Sequence, residues 1–362
     1  MKEVTYKWTS ESQDWESWNS FLKENPRGIY LQTKEWLESY QAYGFSTLLL
    51  IASDSAGNIL GGVGAVLASA GPFKILAGPY SPIIKTGEEL IFVRLIQEFL
   101  QKAKSSGAFL AQLSYPCTTG NDNFPDYFLP QSLISTYLTG EKSGLIFKFV
   151  TGVSGLRAVR LFQGESDSLS KVVSGYNTLT KRNIKKASQL GNTLVFAKSV
   201  EEIKTAYQLI ILNSNTQGYA VRSWEDFGDT LIKMVGKEQC FIACCENEGQ
   251  LKGTLVVFDI GKKLHYIMGA TLREETDFKV GHFLHHHVIQ IGIQKGYEFY
   301  DISMGGSEGV VRFKEGFGGE IIGIVEPRYW VLKPWQFLAF QKLLPWVQKN
   351  KKLVSQILSK LK

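Results

Sequence analysis

The chain has 362 residues, 44% of them hydrophobic and 20% charged, which excludes a disordered or collagen-like protein and leaves room for two domains. The net charge is +6, but residues 331–362 carry seven lysines and no acidic residue. Residues 1–330 therefore have a net charge of −1, which disfavours a nucleic-acid-binding protein coated in positive charge.

The beginning of the chain, MKEVTYKWTS, lacks the apolar stretch of a signal peptide, and no long apolar run occurs later. These features predict a cytoplasmic protein without a membrane-spanning helix. The cysteines form no CxxC pair, so buried, reduced thiols are expected rather than disulfides or a zinc site. They are Cys117, Cys240, Cys244 and Cys245.

In chain order, the first clear element is a strand–turn–strand pattern. An apolar run at 48–52 is followed by polar residues at 54–58 and by a second apolar run that contains Gly61. Apolar residues at 90–104 then recur with the 3.6-residue period of a helix, and Gly107 ends this helix before a buried strand. The first half is therefore predicted to contain a hairpin, a helix and a strand.

The second half repeats this order. The turn glycines of the two hairpins, Gly57 and Gly249, are 192 residues apart, and the glycines that end the two helices, Gly107 and Gly296, are 189 residues apart. Each half is predicted to form a mixed, mainly antiparallel sheet covered by helices. The fold class is therefore α/β, of the α+β type, with two similar domains in tandem.

The boundaries follow from composition. We expect a first domain at 1–150, a second at 151–330 and a basic helical tail at 331–362. A stretch rich in Ser, Gly and Asp at 161–175 is predicted to be a linker, and a basic helix at 178–190 follows it.

The tail combines lysines with apolar residues at helical spacing. The apolar stripe consists of Leu353, Val354, Ile357, Leu358 and Leu361, and the large rings upstream are Trp335, Phe337, Phe340 and Trp346. Such a stripe can close over the core of the second domain. It can also lie on the anionic inner face of the cell membrane.

Four sequence segments carry a family resemblance. They are LQTKEWLESYQAYGF, LTKRNIKKASQLG, YDISMGG and VVRFKEGFGGE, in this order. With the tandem halves, they resemble the FemABX family over most of residues 15–330. The resemblance implies two fused GNAT-like domains. It also implies an aminoacyltransferase that moves an amino acid from aminoacyl-tRNA to an amine of a peptidoglycan precursor, as in interpeptide bridge formation.

The best catalytic candidate is Lys314, within a glycine-rich segment at 305–319. The segment matches neither a P-loop nor a dinucleotide motif. A cation between glycines can meet an anion or a developing oxyanion, although the glycines can also form a turn with Lys314 in solvent. The resemblance places the family's Phe-Lys pair at Phe313 and Lys314.

Substrate contacts are predicted at Arg222, whose fork-shaped guanidinium can bind a phosphate or pair with a neighbouring acid. The resemblance implies that this arginine holds the phosphates of a nucleotide-linked precursor. Three positions depart from the family pattern: Asp226 and Met268 replace tyrosines, and Tyr115 replaces an acid. Tyr266, on the same strand face as Met268, is the substitute candidate, and Asp226 and Tyr115 are also predicted to contact the substrate.

A positive helix face is formed by Arg182, Lys185 and Lys186, at spacings of three and four residues. Such a face can simply be solvated, or it can bind the phosphates of a tRNA acceptor stem.

The five histidines fall within 23 residues: His265, His282, His285, His286 and His287. His282 and His286 have the spacing of HExxH, but Phe283 replaces the glutamate, so no metal is expected. No cofactor is predicted either.

The expected reaction is aminolysis of an ester, without a covalent enzyme intermediate. An amine attacks the ester carbonyl, and the resulting oxyanion needs a cation. Asp301 is the candidate acceptor for the amine proton, although it can instead cap the turn at Gly305 and Gly306.

Two alternatives remain from the residues. An acyl-CoA-dependent N-acyltransferase needs a pyrophosphate-binding [RQ]xxGx[GA] pattern, of which the segment DFKVGHFLHHH keeps Gly281. A non-catalytic protein bound to the membrane surface through its tail is the other. In the aminoacyltransferase interpretation, the acceptor is a nucleotide- or lipid-linked muropeptide.

Overall fold

The structure is a computed structural model that describes residues 3–120, 123–137 and 140–349. The strands are β1 (Val4–Thr9), β2 (Ser46–Asp54), β3 (Ile59–Ala70), β4 (Phe73–Gly78), β5 (Ile83–Ile84), β6 (Leu110–Leu113), β7 (Lys142–Ser143), β8 (Gly155–Arg160), β9 (Thr193–Ala197), β10 (Cys240–Asn247), β11 (Gln250–Asp259), β12 (Leu264–Thr271), β13 (Phe299–Asp301), β14 (Glu320–Gly323) and β15 (Arg328–Val331). The α-helices are α1 (Ser12–Glu24), α2 (Lys34–Glu38), α3 (Phe92–Ser105), α4 (Gln131–Tyr137), α5 (Ser168–Ser174), α6 (Thr178–Gln189), α7 (Val200–Gln217), α8 (Trp224–Gly236), α9 (Val280–Gln294), α10 (Glu308–Glu315) and α11 (Pro334–Lys349).

The strands form two sheets. The first has the order β1-β2-β3-β4-β6-β15-β7, with β5 paired to β3, and the second has the order β14-β8-β13-β12-β11-β10-β9. Each contains one parallel pair, β4 with β6 and β12 with β13, among antiparallel neighbours. The predicted α/β fold with two mixed, mainly antiparallel sheets is confirmed.

The predicted internal repeat is also present. In the first half, the β2–β3 hairpin is followed by α3 and β6, and in the second half the β10–β11 hairpin is followed by α9 and β13. Helix α3 buries Phe92, Leu95 and Phe99 against the first sheet. Helix α9 buries Leu284 and Val288 against the second. In both halves the buried residues recur at the helical period on one face.

Strand β15 departs from the predicted division. It lies within 151–330 but pairs with β6 and β7 in the first sheet, where Trp330 joins the first hydrophobic core. The stretch 161–175 is not simply a linker, because it contains α5, and Val172 of this helix is buried in the second core.

Helix α11 packs on the first half rather than over the second core. Phe337 is 8% exposed, and the ring of Phe340 lies 5.2 Å from that of Phe109. The predicted stripe from Leu353 to Leu361 lies outside the described residues.

The two halves share a hydrophobic core that contains side chains from both sheets. The ring of Tyr30, from the first half, stacks on Phe258 at 4.4 Å. Beside it, Lys263 Nζ donates a hydrogen bond to the carbonyl oxygen of Gly28 at 2.7 Å. Gly261, with φ of 72°, lies so close to Gly28 that a Cβ atom would be 2.2 Å from its carbonyl oxygen. At this junction, the backbone of the first half therefore packs directly against the backbone of the second half.

All four cysteines are buried and free, as predicted. Within the described ranges, the helices are either too short or too polar to cross a membrane.

Candidate functional site

The candidate site is a cavity of about 1220 Å³ in the second half. Strand β12, the beginning of α9 and the segment before α10 form its walls, and Trp36 from α2 closes it on the side of the first half. Among its lining residues are Lys314, Phe313, Tyr266 and Arg222. The structure thus brings together four residues that the sequence selects from distant positions.

The cavity lies where the pairing between two strands ends. β12 and β13 pair at Leu264 with Tyr300 and at His265 with Asp301, and no further. On its other edge, β12 carries a bulge against β11, because Val256 pairs with Met268 while Val257 pairs with Tyr266. A bulge bends a strand and redirects its side chains. The bulge and the end of the β12–β13 pairing thus both fall at Tyr266, which lines the cavity.

Lys314 lies in the last turn of α10 and is 3% exposed. Its Nζ donates to Gly305 O at 2.7 Å and to Ser303 Oγ at 3.1 Å, and it lies 5.2 Å from the ring centroid of Tyr266. An ammonium group has three donors, so one N–H remains for a ligand in the cavity. The side chain is therefore a fixed cation at the cavity wall rather than a solvated one.

The charge on Lys314 is sensitive to pH. Burial lowers the pKa of its ammonium to about 8, the Asp301 carboxylate opposes this shift, and Arg157 adds to it. The group is still mostly protonated at neutral pH.

Asp301 does not line the cavity. Its Oδ1 accepts hydrogen bonds from the backbone N–H groups of Arg157 at 3.0 Å and Ser303 at 2.8 Å, and its Oδ2 lies 3.2 Å from His265 Nδ1. Ser303 adopts a φ of 68°, an uncommon conformation for a side-chain-bearing residue. The carboxylate thus fixes the turn whose Ser303 hydroxyl and Gly305 carbonyl hold Lys314. This geometry is close to the capping alternative for Asp301, and it gives the residue a positioning role.

Phe313 belongs to an aromatic cluster on the cavity wall. Its ring centroid lies 4.8 Å from that of His282, 5.5 Å from that of His285 and 5.5 Å from that of Phe317. The cluster packs closely against the beginning of α9, where a Cβ atom at Gly281 would be 3.2 Å from the Phe313 ring.

Arg222 uses its guanidinium to join the two halves. Nη1 donates to Ser39 Oγ and Nη2 to Ser39 O, both at 2.7 Å, and Nη2 also lies 3.4 Å from Asp226 O. The rings of Tyr43 and Phe227 face the guanidinium at 5.2 and 4.8 Å. The fork that was expected to bind phosphate is occupied by a serine of the first half.

We expect Arg222→Ala to lower the free energy of unfolding by about 1.5–3 kcal/mol, because hydrogen bonds from a charged donor are lost. Urea denaturation of the variant, with Arg222→Lys as a control that keeps the charge but not the fork, measures the effect. Unchanged stability together with a raised KM for the acceptor would instead favour the phosphate-binding role.

The other two predicted substrate contacts lie outside the cavity lining. Tyr115 is fully buried in the first core, with its ring 5.7 Å from Phe92. Asp226 lies in the first turn of α8, where its backbone N–H donates to Oγ of the capping residue Ser223 at 3.1 Å. Neither residue contacts the cavity.

The basic helix is α6, and Arg182, Lys185 and Lys186 are all exposed on it. The same helix carries Asn183, which is 7% exposed and lines the cavity, with its Nδ2 3.3 Å from His282 Nε2. Helix α6 therefore carries the positive residues and also contributes to the cavity wall.

The histidines are dispersed among separate partners. His286 Nδ1 lies 3.4 Å from Tyr176 Oη, and His287 Nδ1 lies 2.8 Å from Phe283 O. In the part of the chain that the structure describes, no three His, Cys, Asp or Glu side chains form a metal-binding group. Sequence reasoning missed His282 and His285, which both line the cavity, because only the fold shows which histidines face it.

Residues 177–315 match the family model described as "Acetyltransferase (GNAT) domain". No curated protein matches the sequence.

Among solved structures, that of FemX superimposes with a TM-score of 0.75 and 12% identity, over 92% of this chain and 99% of FemX. L-PGS from Bacillus licheniformis has a TM-score of 0.52 and 14% identity, over 92% of this chain and 95% of that one. The C-terminal domain of a putative lysylphosphatidylglycerol synthetase from Agrobacterium fabrum has a TM-score of 0.52 and 13% identity, over 88% and 91%. The predicted FemABX-like fold is thus confirmed: the chain consists of GNAT-like halves in tandem, and the match to the GNAT domain model lies in the second half.

Proposed function

We propose that the protein transfers an amino acid from an aminoacyl-tRNA to an amine of a peptidoglycan precursor peptide. The observation that carries the proposal is Lys314, a buried ammonium with a free N–H at the wall of a cavity large enough for two reacting groups. The fold shared with FemX, with L-PGS and with the C-terminal domain of a putative lysylphosphatidylglycerol synthetase supports it.

The chemistry follows from what an ester needs when an amine attacks it. The amine nitrogen bonds to the carbonyl carbon, negative charge develops on the carbonyl oxygen, and the bond to the ribose oxygen then breaks. A fixed cation in a site that excludes water stabilises the oxyanion without reorganisation. Lys314 supplies this cation, and Asp301 positions it through Ser303. The proton that the amine loses ends on the ribose oxygen.

The tRNA is proposed to lie along the exposed side of α6. Arg182, Lys185 and Lys186 supply positive charge there, and phosphate contacts of this kind need no base-specific partner. A role of Arg222 in binding the precursor's phosphates requires its guanidinium to leave Ser39, so Arg222 is not part of the proposed mechanism.

The proposal is tested by incubating the protein with a mixture of charged tRNAs and with nucleotide-linked and lipid-linked muropeptide precursors. We expect a precursor whose mass increases by one aminoacyl group, and Lys314→Met serves as the inactive control. A parallel reaction with acetyl-CoA tests the other acyl donor, because the N-terminus of α9 also lines the cavity. Acyl transfer from CoA without transfer from tRNA would overturn the proposal.

The pH dependence of transfer should show the ionisation of Lys314. Since the oxyanion needs the protonated lysine, and its pKa is about 8, the contribution of Lys314 should fall about tenfold per pH unit above pH 8. Deprotonation of an attacking α-amine, with a pKa of about 8, has the opposite effect. The Lys314→Arg variant keeps its positive charge over this pH range, so it separates the ionisation of Lys314 from that of the attacking amine. The ratio of wild-type to Lys314→Arg rate should fall above pH 8, and a constant ratio would contradict the assignment.

A membrane contact is proposed for α11. One face of this helix packs on the first half, but Trp335, Leu338 and Leu343 are 69%, 58% and 46% exposed. The surrounding segment, 331–362, carries seven lysines and no acid. Exposed rings and aliphatic side chains next to lysines fit an anionic lipid surface.

Replacing Trp335 and Leu338 together with serine should reduce sedimentation with anionic vesicles, because these side chains would insert at the lipid boundary. Deletion of residues 350–362 should reduce it further, mainly at low salt, since each lysine contributes about 1 kcal/mol. Leu90→Ser is the matched control, because Leu90 is 96% exposed but lies outside the lysine-rich segment. Equal binding by all variants would contradict a membrane role for α11.

A further inference from the structure

His285 is a second polar group at the cavity wall. It lies on α9, is 2% exposed, and lines the cavity beside Tyr266 and Phe313. The ring centroids of His285 and Tyr266 are 4.8 Å apart in an edge-to-face arrangement. Tyr266 is also the ring over which Lys314 lies. The histidine and the lysine therefore flank the same aromatic side chain.

Tyr300 determines which nitrogen of His285 carries the proton. The Tyr300 hydroxyl lies 2.7 Å from His285 Nδ1 and is completely buried on β13. Leaving a buried hydroxyl hydrogen without an acceptor costs free energy. Among the described residues, His285 Nδ1 is the acceptor within hydrogen-bond distance of the Tyr300 hydroxyl. Tyr300 thus donates to Nδ1, and a neutral imidazole then has its hydrogen on Nε2.

The imidazole is neutral at neutral pH. Burial lowers the pKa of His285 to about 3, and the charges of Lys314 and His282 act in the same direction. A group with so low a pKa is a poor base at neutral pH. Its Nε2–H is a hydrogen-bond donor, and a neutral imidazole can polarise a carbonyl group by donating such a hydrogen bond.

We propose that Nε2–H of His285 donates a hydrogen bond to the carbonyl oxygen of the bound acyl group, as a second donor beside Lys314, and that Tyr300 positions this donor. This inference rests on the proposed aminoacyl transfer and adds a catalytic residue to it. During the reaction the new C–N bond forms and the ester C–O bond breaks, while His285 keeps its proton. Lys314 stabilises the negative charge of the oxyanion, and His285 orients the carbonyl group through a hydrogen bond.

The transfer assay with charged tRNA and muropeptide precursor tests the donor. His285→Leu should reduce kcat by about 10²-fold, the usual effect of removing one donor to an oxyanion. His285→Gln can place an N–H near the position of Nε2 and should remain within about tenfold of the wild-type rate. A leucine variant with wild-type turnover would overturn the inference.

Nitrogen NMR of histidine-labelled protein gives a readout that does not depend on turnover. In the wild-type protein, His285 should have its proton on Nε2, and Tyr300→Phe should shift the population toward Nδ1. A proton on Nδ1 in the wild type would overturn the inference. If His285→Leu does not fold, this NMR measurement alone tests the inference. Failure of the proposed function would appear differently, as a wild-type protein that transfers no amino acid.

Discussion

Lys314→Met should lower the rate of aminoacyl transfer by about 10²–10³-fold, because it removes the cation that stabilises the oxyanion. The protein should still fold. The ammonium is buried at a cost, as its lowered pKa shows, and methionine fills a similar volume without a charge. Steady-state transfer kinetics and urea denaturation of both proteins measure the two effects.

Lys252→Met is the matched control for this experiment. Lys252 is also a buried lysine that lines the cavity, but its Nζ pairs with Glu274 at 2.9 Å and Gln250 at 3.0 Å. Its replacement should affect stability more than transfer. Near-normal turnover of Lys314→Met would show that another group stabilises the oxyanion, and failure to fold would make Lys314 structural.

A stability comparison across pH isolates the same lysine. Because the pKa of Lys314 is about 8 in the folded protein and 10.5 as the reference value, the unfolded chain binds more protons between these pH values. The wild-type protein should therefore gain stability as pH rises from 8 to 10.5. Lys314→Met should lack this part of the gain.

Gly261→Ala should destabilise the junction between the halves by on the order of 4 kcal/mol. The left-handed backbone costs about 1–3 kcal/mol for a residue with a side chain. The methyl group would also lie 2.2 Å from Gly28 O and 2.8 Å from Lys263 Nζ, which forces the two backbones apart and adds about 1–3 kcal/mol. Urea denaturation gives the difference in free energy of unfolding.

Gly249→Ala is a closely matched control for Gly261→Ala. Gly249 also has a φ of 72°, but a Cβ atom there has nothing within 4 Å. This variant should show the backbone cost alone. Equal destabilisation by the two substitutions would mean that the junction adjusts without loss.

The internal repeat could be predicted because its signals are local. Hairpin turns, a helical period and a terminal glycine each occupy a few neighbouring residues. The pairing of β15 with β6 joins residues that are 215 or more positions apart, and a four-residue strand carries no pattern that names its partner. The sequence therefore predicts the hairpins of both sheets but not the strand that returns to the first one.

For the candidate site, too, local motifs could be predicted from the sequence, but contacts between distant residues could not. Lys314 could be selected from its motif, and the structure places it at the cavity. Tyr115 stands where the family resemblance places an acid, but its side chain is fully buried in the first core. His285 and Tyr300 meet because α9 packs on the sheet that contains β13, and no spacing in the sequence indicates that contact. Residues whose roles depend on packing across elements are thus found only in the fold.

The return of β15 to the first sheet affects how the chain can be divided and how it folds. A fragment that ends near residue 150 would leave β6 with an open edge, and exposed strand edges invite pairing with other chains. During synthesis, the first sheet cannot be completed until the second half and β15 have left the ribosome. Such a long-range closure slows folding and lengthens the time during which the edge is accessible. The two halves therefore resemble each other in plan but form one interdependent folding unit.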